Sequence, residues 1–191
     1  MKQSSSIILI AVSVILTAAA FLLSLYLFWV GQANTDTFSY IGEQNRVWFF
    51  FYSLIFILAF SINIILFTIK NKNINRRLLI SIYILLGLTN IFSLLQSIII
   101  DHAFHEVHLL LAGTYTGFGC IALILAIIAE LKFTKSKHGY YYLAMISITG
   151  GMNFYAIHAY GWLIASYQWL FAITILATSC ALALINNNKK N

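Results

Sequence analysis

Residues 47–77 read VWFFFYSLIFILAFSINIILFTIKNKNINRR, and this stretch decides the fold. From Val47 to Ile69 no Lys, Arg, Asp or Glu occurs. At 1.5 Å of rise per residue, a helix of about 20 apolar residues crosses a hydrocarbon core of roughly 30 Å. Lys70, Lys72, Arg76 and Arg77 then crowd together before a second apolar run opens at Leu78. An apolar run closed by a cationic cluster is how a membrane span and its cytoplasmic loop are written.

The same alternation extends in both directions. Six stretches are long enough to span and contain none of the four charged residue types: Ser6–Val30, Val47–Ile69, Leu78–Ile100, Leu109–Ala129, Tyr140–Tyr160 and Leu163–Ile185. Membrane β-strands would be short and alternating. The expected fold is all-α: a polytopic membrane protein with six transmembrane helices in one bundle, a single domain over residues 1–191. Short connections make sequence neighbours antiparallel neighbours. Composition points the same way, because 8% charged residues cannot cover a water-facing surface that normally carries roughly 25%. The absence of proline favours unbroken helices. Lys2 and the small residues Ala18–Ala20 imitate a secretion leader, but the apolar run continues to Val30, beyond the ~7–15 residues of a leader core. A full span is expected there. Cys120 and Cys180 lie within spans and read as small packing residues, with no disulfide framework.

Charge sets the orientation. Lys2, Lys70, Lys72, Arg76, Arg77, Lys132, Lys135, Lys137, Lys189 and Lys190 fall on one side of six spans, and Arg46 alone on the other. The positive-inside rule then puts both termini in the cytoplasm. Asp36, Glu43, Asp101 and Glu106 are expected outside and Glu130 in an inner loop. Trp29, Trp48, Trp162 and Trp169 fall at outer span ends, and Tyr140–Tyr142 at the inner boundary. The net charge of +6 is split among short clusters instead of one exposed face, so nucleic acid is not an expected partner. Lys132, Lys135, Lys137 and His138 suit anionic headgroups.

Three patterns within the spans are candidates for packing or function. Gly113-Thr-Tyr-Thr-Gly117 is a small-xxx-small motif of the kind that lets helices approach closely, within the chain or between copies. Asn90, Ser93 and Ser97 form a polar stripe that ends at Asp101 and should face the bundle interior. After that stripe comes Asp101-His102-Ala-Phe-His105-Glu106-Val-His108. In a helix, Asp101, His105 and His108 would stand at about 0°, 40° and −20° on one face. His158, late in the fifth span, should reach the same outer boundary. Such nitrogen and oxygen ligands suit zinc, and an open fourth position would make the site catalytic. Other readings compete: Asp101 as a helix cap, histidines at ease at the membrane boundary, or proton sensing near neutral pH. HExxH is absent.

The first outer loop, with Ser39-Tyr-Ile-Gly42 shortly before the second helix, and the fourth helix opening on His108-Leu-Leu-Leu-Ala112-Gly113, resemble a bacterial family of six-span membrane proteins of uncharacterised function. That family is distantly similar to eukaryotic membrane proteins of autophagy modulation and GPI-anchor lipid remodelling. The resemblance implies Ser39, Gly42 and His108 as motif positions and a bacterial cytoplasmic (inner) membrane as location. By local physics Gly42 permits a tight turn and Ser39 serves nearby backbone groups.

No catalytic residue set is complete in the sequence, and the reading leans away from an enzyme. The first expectation is a multi-pass membrane protein that binds membrane lipid or a protein partner, including another copy of itself. The alternatives are a zinc-dependent hydrolase acting on outer-leaflet lipid through Asp101, His105, His108 and His158, and a small-solute transporter. Coupled transport generally uses ionisable groups within the membrane, and the six stretches hold no Lys, Arg, Asp or Glu.

Overall fold

The computed structural model describes residues 3–30, 45–99, 105–134, 137–160 and 165–184. These form six helices in one bundle: α1 (Gln3–Val30), α2 (Arg46–Lys70), α3 (Arg76–Ile98), α4 (His105–Thr134), α5 (His138–Tyr160) and α6 (Ala165–Leu184). Five of them are long and apolar enough to cross a membrane. The sixth, α5, has 23 residues and no Lys, Arg, Asp or Glu but falls short in hydropathy. Its tyrosines (Tyr140, Tyr141, Tyr142, Tyr155, Tyr160), its histidines and its glycines lower the apolar content that the absence of charge had suggested.

Successive helices run in alternating directions. Trp48 at the start of α2 meets Tyr26 near the end of α1 edge to face, with ring centroids 5.5 Å apart. Thr68 meets Tyr83 at 2.8 Å and Ser61 donates to Asn90 at 2.9 Å, which fixes α2 antiparallel to α3. The Lys70 ammonium caps the Ala183 carbonyl, bringing the ends of α2 and α6 together. One end of the bundle thus gathers Lys70, Lys72, Arg76, Arg77, Lys132 and Lys137; Arg46, Trp29, Trp48 and Trp169 stand at the other. Trp162 lies outside the described residues.

α2 is the central helix, with 56% of its apolar window buried against 17% for α1 at the periphery. Phe60, Ile64 and Phe67 of α2 pack with Ile82 and Leu86 of α3 and with Ala122, Leu123, Ala126 and Ile127 of α4. Lipid is as apolar as these side chains, so close dispersion contact and polar bridges hold the helices together instead of a hydrophobic force. Asn63 is the main bridge. It accepts from Ser13 and donates to Thr17 Oγ1 (3.2 Å) and Ser179 Oγ (3.1 Å), joining α1, α2 and α6 around a fully buried amide.

The small residues of α4 act differently from the expected motif. The close seam is Gly119, where an added Cβ would lie 3.3 Å from Thr89 Cγ2, followed by the buried Ala122, Ala126 and Ala129. A Cβ at Gly113 or Gly117 would meet nothing within 4 Å, so within the chain these two bring no helix close. Glu130 also departs from expectation. α4 continues past the apolar run to Thr134, and Glu130 is fully buried instead of standing in a loop. The first turn of α5 presses on it: a Cβ at Gly139 would lie 2.5 Å from Leu131 Cγ and 2.8 Å from Glu130 Oε2. Only glycine permits that approach, and the carboxylate there meets the positive end of the α5 dipole.

Candidate intramembrane binding site

Five helices surround a cavity of about 600 Å³ in the half of the bundle that carries the tryptophans. Each helix contributes residues that recur at helical spacing and so share one broad face. α2 supplies Phe49, Tyr52, Ser53, Phe56 and Phe60; α3 supplies Thr89, Ser93 and Gln96. α4 brings Leu109, Gly113, Thr116 and Gly117, α5 brings Asn153 and Ile157, and α6 brings Gln168, Phe171 and Ile175. The floor is where Gly119 meets Thr89 and Phe60. Among the described residues, none from α1 lines it.

The opening is lateral. Every lining residue from α2, α3 and α6 is buried or half-buried. The exposed ones are Leu109 (46%), Gly113 and Gly117 on α4 and Ile157 (48%) on α5. Leu109, Gly113 and Gly117 recur every four residues and so mark one edge of α4. Two constraints create the gap. At the basic end Gly139 clamps α5 onto α4, whereas at the other end α5 leans on α6, with Gly150 3.4 Å (as a Cβ) from Phe171 and Asn153 donating to Tyr167 O at 3.0 Å. α4 and α5 therefore part like a wedge. At the wedge α4 presents two glycines, whose missing side chains leave the mouth clear.

Among the described residues the lining is polar in places but uncharged: it holds no Lys, Arg, Asp, Glu or His. Tyr52 and Tyr115 both stand on its wall. Gln96 is fixed from behind by His108, Nε2 to Nε2 at 3.0 Å. His108 Nδ1 lies 2.8 Å from Ile99 O, and a carbonyl can only accept, so the proton sits on Nδ1 and Nε2 accepts from the Gln96 amide. His108 is 4% exposed and serves as a clasp between the end of α3 and the start of α4.

The sequence candidates separate in the structure. Of the proposed zinc set, Asp101 lies outside the described residues, and for His105 only helical backbone is described. His158 is exposed on α5 beside the mouth, and both His108 nitrogens are engaged. Among the described residues no three metal-binding side chains gather. Ser39 and Gly42 also lie outside the described residues. In the polar stripe, Asn90 accepts from Ser61, Ser93 faces the cavity, and the Ser97 hydroxyl returns to Leu94 O at 2.8 Å. The cavity face of α3 is the neighbouring stripe Thr89–Ser93–Gln96. Asn153 and Gln168 were not singled out from the sequence, although amides inside long apolar runs were the signal available.

No family model, curated protein or solved structure matches this chain.

Proposed function

We propose that this membrane protein is a non-catalytic binder of lipid, which enters the cavity sideways from the bilayer between α4 and α5. The observation that carries this reading is the coincidence of lining and exposure at Leu109, Gly113, Gly117 and Ile157. A volume of about 600 Å³ lies within the roughly 300–1,000 Å³ of ligand pockets. An uncharged lining at membrane depth suits an apolar guest and supplies no ion relay. The His108 clasp weighs against a zinc hydrolase, since that imidazole already serves Gln96 and Ile99.

We place the protein in a bacterial cytoplasmic membrane with both termini inside, supported by the basic residues at one bundle end and the tryptophans at the other. On this orientation the cavity lies in the outer-leaflet half. The proposed kinship with the six-span family belongs to the same reading, with His108 at its motif position acting as the clasp. Native mass spectrometry of the gently purified full chain tests the function. The expected spectrum shows one retained lipid per protein; a spectrum of bare protein under conditions that preserve the fold contradicts it.

A further inference from the structure

We propose that the bound lipid carries an uncharged head with both hydroxyl and carbonyl oxygens, of the diacylglycerol class, and that this head sits inside the cavity against Ser53 and Ser93. The proposal rests on the lipid-binding reading and narrows it.

Ser53 and Ser93 are 7% and 3% exposed, line the cavity, and make no hydrogen bond with any described residue. That is unusual for helical hydroxyls, which turn back to their own carbonyls. In this chain Thr89, Ser97 and Thr174 do so, to Leu85, Leu94 and Leu170. Two buried serines whose hydroxyls stay open at a cavity wall are instead available to a partner from outside the protein. Across from them, Asn153 uses both amide hydrogens on Thr149 O (2.9 Å) and Tyr167 O (3.0 Å), which leaves its Oδ1 as an acceptor at the wall. The site therefore offers donors on one side and an acceptor on the other.

Charge selects among lipid heads. A phosphate inside the cavity would find no cation among the described residues of its lining, and a buried charge without a partner is strongly disfavoured. At the mouth, Glu106 is exposed and continues the edge formed by Leu109, Gly113 and Gly117, so it repels an anionic head before entry. A bare hydrocarbon chain would lay methylenes against the serine hydroxyls, which is also unfavourable. A diacylglycerol head resolves both problems. Its ester carbonyls accept from the serines and its free hydroxyl donates to Asn153 Oδ1, while its chains lie along Phe56, Ile57 and Ile157.

The test uses purified full-length protein in phosphatidylcholine nanodiscs. It is photolabelled with a diacylglycerol bearing a diazirine on one chain, and in parallel with phosphatidic acid of identical chains. Saturable diacylglycerol labelling of the α4 and α5 edges is expected, with phosphatidic acid at least about tenfold weaker. The double variant Ser53→Ala, Ser93→Ala should bind diacylglycerol about tenfold more weakly. It should keep wild-type thermal stability, because the hydroxyls removed have no hydrogen-bond partner among the described residues. Equal labelling by the two lipids, or unchanged affinity in the double variant, overturns the head assignment and leaves lipid binding intact. Absence of labelling at the cavity by either probe removes both proposals. If the double variant does not fold, the comparison of the two probes on the wild-type chain decides.

Discussion

Changing Gly113 and Gly117 together to leucine is expected to abolish lipid retention while leaving the protein as stable as before or more so. The two effects pull apart because the glycines stand at an opening and not at a contact. A Cβ at either position meets nothing within 4 Å, so the new side chains have room without displacing a neighbour. Removing glycine from a helix interior is itself worth about 0.5–1 kcal/mol per site. Yet both positions line the cavity and are exposed on the α4 edge, so two isobutyl groups would occupy the wedge between α4 and Ile157 of α5. Lipid occupancy, read by native mass spectrometry, should fall by at least about tenfold, equivalent to roughly 1.4 kcal/mol. Had the pair been a helix-packing motif inside the chain, the same substitutions would lower stability sharply through overpacking, by about 1–3 kcal/mol. Stability and occupancy measured together therefore separate the two roles.

The second large effect is expected at His108. Replacing it with alanine deprives the buried Gln96 amide and the Ile99 carbonyl of their partner at once. Each such group left unsatisfied costs about 1–3 kcal/mol, and the lost ring adds a void, so a destabilisation of about 2–4 kcal/mol is expected in denaturant unfolding of the detergent-solubilised protein. Zinc should leave the unfolding curve of the wild-type chain unchanged, because an imidazole with both nitrogens engaged must break the clasp to bind metal. A zinc-dependent stabilisation that disappears in His108→Ala would overturn the clasp and revive the metal reading.

The contrast at His108 shows where sequence reading carried and where it stopped. The spans were legible because length and apolarity are local properties, and a bilayer leaves few ways to satisfy such runs. α5 is less apolar than its lack of charge implies, because tyrosines and glycines lower hydropathy without adding charge. A carboxylate after an apolar run usually ends a span, which would put Glu130 in a loop; here the helix continues and a glycine in α5 lets the neighbouring backbone cover it. Helical periodicity gave α3 a polar side, but two stripes share Ser93, and only tertiary contacts show that Thr89 and Gln96 face the cavity while Asn90 is taken by Ser61. Gly113 and Gly117 present the general difficulty. The same small residues that let two helices touch also leave a hole where the helices diverge, and divergence is set on other helices, by Gly139 at one end and by the contacts of Gly150 with Phe171 and of Asn153 with Tyr167 O further along.

The opening between α4 and α5 is the physical feature on which the lipid reading depends, and a nitroxide probes it directly. The label would be attached at Gly113→Cys in a chain whose Cys120 and Cys180 are replaced by alanine, reconstituted in bilayers. Relaxation by oxygen, which concentrates in hydrocarbon, is compared with relaxation by a water-soluble nickel chelate. A mouth that opens onto lipid predicts strong relaxation by oxygen and little by the chelate. Strong relaxation by the chelate would mean a water-filled path, and protection from both would mean a packed helix contact; either result contradicts a cavity that receives lipid from the membrane.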